Sequence, residues 1–144
     1  MGKCFSRLEL FFRAERLLTY DRTVRVILTR YQSAVIPPKL GSLLSSLPNL
    51  HTLQVFHAHS EMTSAIRNGF EEVVLPTIRT LIIPGHCHEI LKCCPQVTRL
   101  WCNQGDEGKL VTVLGKKYCK EVREMHGFSL ARENLVKSAF LNNK

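Results

Sequence analysis

The middle of the chain is rich in soft metal ligands: His57, His59, His86, Cys87 and His88, with Cys93 and Cys94 a few residues on. Tetrahedral zinc needs four such groups converging, commonly as two Cys-x-x-Cys or His-x-x-x-His type pairs. The spacing here differs. Because each histidine pair follows an apolar stretch, ending near Val55 and near Ile83, the pairs could lie on neighbouring loops, which keeps zinc as an alternative. The preferred reading is histidines in loops and packed cysteines, with no metal site. Gly105-Asp106-Glu107-Gly108-Lys109 hints at a phosphate loop, but that fingerprint, G-x-x-x-x-G-K-[ST], sets its glycines farther apart and needs a hydroxyl where Leu110 stands. A turn opening a helix fits better, its acidic residues facing the positive end of the helix dipole. No G-x-S-x-G elbow or comparable nucleophile signature is present. The chain is therefore expected to be no enzyme, with no cofactor and no small-molecule substrate.

Met1-Gly2-Lys3-Cys4-Phe5-Ser6 matches M-G-x-x-x-[ST], which makes Gly2 a candidate for myristoylation and Cys4 for palmitoylation. One acyl chain binds membranes only marginally, so Lys3, Arg7, Arg13 and Arg16 would have to add a basic surface. An ordinary capping segment is the preferred reading. The six cysteines would suit a disulfide framework in a secreted chain, but the start lacks an apolar signal core. No apolar run approaches the ~18 residues that cross a bilayer. An intracellular protein of the cytoplasm or nucleus, with free thiols, is expected.

Charge is unevenly placed. The 20 Lys+Arg and 12 Asp+Glu divide as 8 and 3 over residues 1–40, 4 and 6 over 41–108, and 8 and 3 over 109–144. Both ends are basic. Such ends could attract nucleic acid or an anionic membrane through charge alone. Solvated helix faces explain them better, because no cluster exceeds two basic residues in a row.

What would position any of these groups is a repeat. Leu47-Pro48-Asn49-Leu50-His51-Thr52-Leu53-Gln54-Val55 returns as Leu75-Pro76-Thr77-Ile78-Arg79-Thr80-Leu81-Ile82-Ile83 and as Cys94-Pro95-Gln96-Val97-Thr98-Arg99-Leu100-Trp101-Cys102. A fourth copy, Cys119 to Gly127, has lost the proline, and a degraded one precedes them at Val24-Arg25-Val26-Ile27. Apolar positions 24, 50, 78, 97 and 122 step by 26, 28, 19 and 25 residues. That is the leucine-rich-repeat range of about 20–29 residues. Each unit then makes one short strand and returns through a helix or turn, so that strands stack in parallel. The reading is α/β: a short irregular solenoid of four to five parallel strands, near residues 24–28, 50–55, 78–83, 97–102 and 122–126, with outer helices.

Helical spacing is predicted over Glu61 to Glu72, His88 to Cys94 and Lys109 to Cys119, with only a short turn at Ser42 to Ser46. One domain spans 1–144, with a capping helix in 1–20, repeats over 21–128 and a C-terminal capping helix or tail over 129–144.

The three proline-bearing phrases resemble the fungal F-box and leucine-rich-repeat-like proteins over roughly Leu8 to Phe128. In that family an F-box usually recruits a cullin-type ubiquitin ligase, and the repeats are presumed to hold the target. No Leu-Pro-x-Glu-like F-box opening precedes the repeats here. The resemblance therefore implies the target-holding half, and a ligase complex only if an F-box lies upstream.

Period-two alternation sends Leu53 and Val55, Leu81 and Ile83, Leu100 and Cys102, and Met125 into the core. Thr52, Gln54, Phe56, Thr80, Ile82, Arg99, Trp101, Asn103, Glu124 and His126 would then line the open face. Ile82 and Trp101 take equivalent slots on adjacent strands. An apolar pair rimmed by Gln54, Arg99 and His126 has the chemistry of an interface anchor for a protein target, unless a flanking loop buries Trp101.

Overall fold

The computed structural model describes residues 22–116 and 118–142. Alternating buried and exposed residues make β1, Thr23–Leu28, and the chain returns through α1, Ile36–Ser45. β2, Thr52–Ala58, leads through a 3-10 turn at Ser60–Met62 into α2, Thr63–Gly69. β3, Thr80–Ile83, is followed by a second 3-10 turn, Gly85–Cys87, and by α3, His88–Leu91. β4, Arg99–Cys102, then α4, Gly108–Gly115, β5, Glu124–His126, and α5, Leu130–Asn142, complete the order.

All five strands lie in one parallel sheet in chain order, so each pairs with its sequence neighbours. The inward residues Leu53, Val55, Leu81, Ile83 and Leu100 have no exposed surface and pack with Leu40, Leu44, Ile66, Ile90 and Leu110 from the helices. The core lies between the sheet and the helices, and among the described residues no helix covers the other face of the sheet. Cys102 and Met125, expected in the same inward column, are only partly buried.

A repeated backbone contact sets the stack. The carbonyl just before one strand accepts two consecutive amides of the next unit: Arg22 from His51 and Thr52, His51 from Arg79 and Thr80, Arg79 from Thr98 and Arg99, Thr98 from Arg123 and Glu124. These eight distances run from 2.8 to 3.1 Å. Backbone groups make the contact in every unit, with the Thr98 hydroxyl adding a bond to the Arg79 carbonyl at 3.3 Å, so units of different length and side chain are joined in the same way.

The same contact corrects the expected boundaries. Leu50, Ile78 and Val97 are fully buried, but they sit in the turn before each strand, and β2, β3, β4 and β5 begin two residues later than read. Val24 pairs with Leu53 rather than matching Leu50, so the first copy is framed three residues further along. A whole helix, α1, replaces the short turn read at Ser42 to Ser46. Pro37 and Pro38 stand at the start of α1, where a missing N–H costs nothing. The helices read to Glu72, Cys94 and Cys119 stop at Gly69, Leu91 and Gly115.

One strand needs outside help. In the pattern of the neighbouring residues, the Val55 carbonyl should receive an amide from position 84, and Pro84 has none. Asn103, just past β4, reaches across β3 and donates its Nδ2 to the Val55 carbonyl at 3.0 Å. Its own amide bonds the Ile83 carbonyl at 3.2 Å.

The five described cysteines are free thiols. Cys119 Sγ donates between the Leu91 and Cys94 carbonyls, both at 3.2 Å, Cys94 bonds the Ile90 carbonyl at 3.4 Å, and Cys93 bonds the Phe70 carbonyl at 3.3 Å. Burial pushes Cys87 and Cys119 up to about 12 and Cys93 to about 11, and Cys94 rises well above its ordinary value for the same reason. The thiolate is the nucleophile, so these four should resist alkylation at neutral pH until the chain unfolds, while the less buried Cys102 reacts first among the five. Site-resolved mass spectrometry after iodoacetamide pulses checks this, and early labelling of Cys94 or Cys119 would contradict the burial.

Candidate functional site

The open sheet face is built from the outward positions of each strand. Register places Arg25, Gln54, Ile82, Trp101 and His126 in one row across all five strands, and Thr23, Thr52, Thr80, Arg99 and Glu124 in the row beside it. All five predicted binding residues therefore share one surface, and Ile82 and Trp101 are register partners as read.

Trp101 packs against side chains of its own strand and the next. Its ring lies 4.8 Å from the His126 ring, tilted by 53°, and the Arg99 guanidinium sits 5.5 Å from its centroid. Glu124 in turn accepts from Arg99 Nε at 3.0 Å and lies 3.6 Å from His126 Nε2. The ion pair is exposed on both sides and contributes little energy, but it fixes Arg99 over the indole. Trp101 remains partly accessible, so the ring is pre-ordered with an edge open to solvent.

Toward β1 the face carries two further apolar side chains. Phe56 is 62% exposed and Ile27 is 49% exposed, because a bulge after Val26 pairs Ile27 with His57 and leaves Phe56 without a register partner. Arg25 and Ile27 were missed by the repeat alignment, since the first copy is displaced by three residues. The strict alternation of Thr23 to Leu28 was the signal that could have placed them.

The alternative sites fall out differently. The histidine loops are neighbours, for His86 Nε2 lies 2.7 Å from the Ala58 carbonyl. His59 Nδ1 accepts the Glu61 amide at 3.1 Å, and His88 Nε2 lies 3.4 Å from Glu89. Among the described residues no group of three or more His, Cys, Asp or Glu is arranged to hold a metal ion. In the segment Gly105 to Lys109, the Asp106 carboxylate accepts the Gly108 amide at 2.9 Å and Arg132 Nη1 at 2.7 Å. The Arg132 hydrogen bond and then the Gly108 amide hold that carboxyl below the usual range, so the segment is a capped turn tied to α5. Gly2, Cys4 and the expected capping helix in 1–20 lie outside the described residues. No helix among the described residues is long and apolar enough to cross a membrane.

No protein-family model and no curated protein matches the chain. Among solved structures the fold is similar to that of Leiomodin-1 Actin-Binding Site 2, at 16% identity and a TM-score of 0.54, with 93% of this chain and 86% of that one covered. At this identity the likeness concerns the fold.

Proposed function

We propose that this chain is a non-catalytic protein-interaction module of leucine-rich-repeat type, an irregular solenoid whose partner docks on the open sheet face around Trp101. The observation that carries the reading is the row Gln54, Ile82, Trp101 and His126, in which a pre-ordered indole meets an aliphatic neighbour on a face that the helices leave uncovered. The fourfold carbonyl contact between units supports a solenoid, since every unit is joined to the next in the same way. The similar solved fold is named as an actin-binding site, which supports a protein as the kind of ligand. Resemblance to the target-holding repeats of F-box proteins supports the same role. A ligase link enters only with an F-box upstream, and co-purification of the cullin adaptor with the full gene product would test it.

Affinity capture from the source cell, with wild type and Trp101→Ala side by side, tests the surface. The variant should keep its fold while the partner binds more weakly by roughly 2 kcal/mol, about thirtyfold, as truncation of an interface anchor does. Binding should also survive raised salt. Retention that collapses with salt and ignores Trp101→Ala would favour the basic ends of the chain and a nucleic-acid or membrane ligand instead.

A further inference from the structure

On the helical side, away from the open sheet face, α2, α3 and α4 line a groove of about 380 Å3. Arg67, Lys92, Lys109 and Lys116 bring four positive charges to it, against the single carboxylate of Glu89. Glu89 is 9% exposed and sits beneath the cations, 3.3 Å from Arg67 Nε and 3.2 Å from Lys92 Nζ. Burial pushes its pKa up, but hydrogen bonds from Lys92 and Arg67 outweigh that and leave it lowered. The carboxylate therefore stays ionised and fixes two cationic side chains over the groove. Lys109 and Lys116 make no ion pair among the described residues, although Lys109 lies close enough to the Asp106 carboxylate to favour its ionised form. The His88 ring closes one wall.

We infer that this groove binds a phosphorylated ligand, its phosphate seated between Lys92, Lys109 and Lys116. A phosphate monoester carries about −1.5 to −2 charge near neutrality, which the excess of positive charge at the groove would neutralise. Lysine binds phosphate as a flexible point charge with three donors, so Lys92 can turn a second donor to the phosphate while still paired with Glu89, and Arg67, also paired with Glu89, lines the rim. The volume lies within the roughly 300–1,000 Å3 of ordinary small-ligand sites. The phosphate can be carried by a soluble small molecule or by a lipid headgroup, and the site is independent of the sheet-face reading.

The probe is inorganic pyrophosphate, titrated against the whole chain by calorimetry and by two-dimensional amide NMR. Saturable binding is expected, with the largest shifts at residues 88–92 and 109–116. Lys109→Ala/Lys116→Ala should weaken it by about tenfold or more with the melting temperature unchanged, whereas the charge-matched Lys39→Ala/Lys120→Ala should not. A second arm uses phosphatidylcholine vesicles with and without a phosphoinositide: sedimentation with the phosphorylated vesicles assigns the headgroup, and pyrophosphate binding alone assigns a soluble ligand. Absence of saturable pyrophosphate binding, or equal weakening in both double variants, overturns the site.

Discussion

Leu81→Ala is expected to destabilise the fold by about 2–5 kcal/mol, a large share of the ~5–15 kcal/mol typical of a domain. Leu81 has no exposed surface and lies in register between Leu53 and Leu100, so truncation opens a cavity shared by three consecutive units. Collapse around it is hindered on two sides, because the backbone contacts at His51 and Arg79 hold both neighbouring strands at fixed spacing. Urea denaturation should show a lower midpoint with little change in slope. A loss below ~1 kcal/mol would mean that the inward phase of β3 has been misassigned.

Gly127→Ala is expected to cost on the order of 3 kcal/mol, through two separate effects. Gly127 follows β5 with φ +77°, a left-handed conformation that L side chains rarely adopt, and a Cβ there would collide with the Cys102 carbonyl oxygen. The close approach is what lets the chain turn from the sheet toward α5. Gly115→Ala serves as the control, because it ends α4 with nothing near the added methyl and gains helix propensity. If thermal melts show Gly127→Ala within ~0.5 kcal/mol of wild type, the turn must relax in a way the geometry here does not allow.

The repeat was the most legible part of the chain, because three phrases kept both their proline and their apolar spacing. That periodicity reports burial rather than hydrogen bonding. Leu50, Ile78 and Val97 are as buried as the strand residues after them, so the pattern cannot show that pairing starts two residues later. α1 was hidden because Pro37 and Pro38 look alike at a helix start and at a break, and only the chain path distinguishes them. The row of Gln54, Ile82, Trp101 and His126 was readable from alternation alone. Its packing was not, since the contacts among Arg99, Trp101, His126 and Glu124 join residues from different strands through register and rotamer. The groove at Glu89 left no local signature, for its cations lie in or just after three helices and span 49 positions between Arg67 and Lys116.

Pro84 and Asn103 constrain the order in which this sequence can change. While proline occupies position 84, replacing Asn103 by a side chain without a donor would leave the Val55 carbonyl short of its partner, at about 1–3 kcal/mol if no water reaches it. Replacing Pro84 first restores a backbone amide to that carbonyl, after which position 103 is released. The two sites are thus epistatic with a direction: a lineage can drift through proline loss and then asparagine loss, and the reverse path crosses a less stable intermediate.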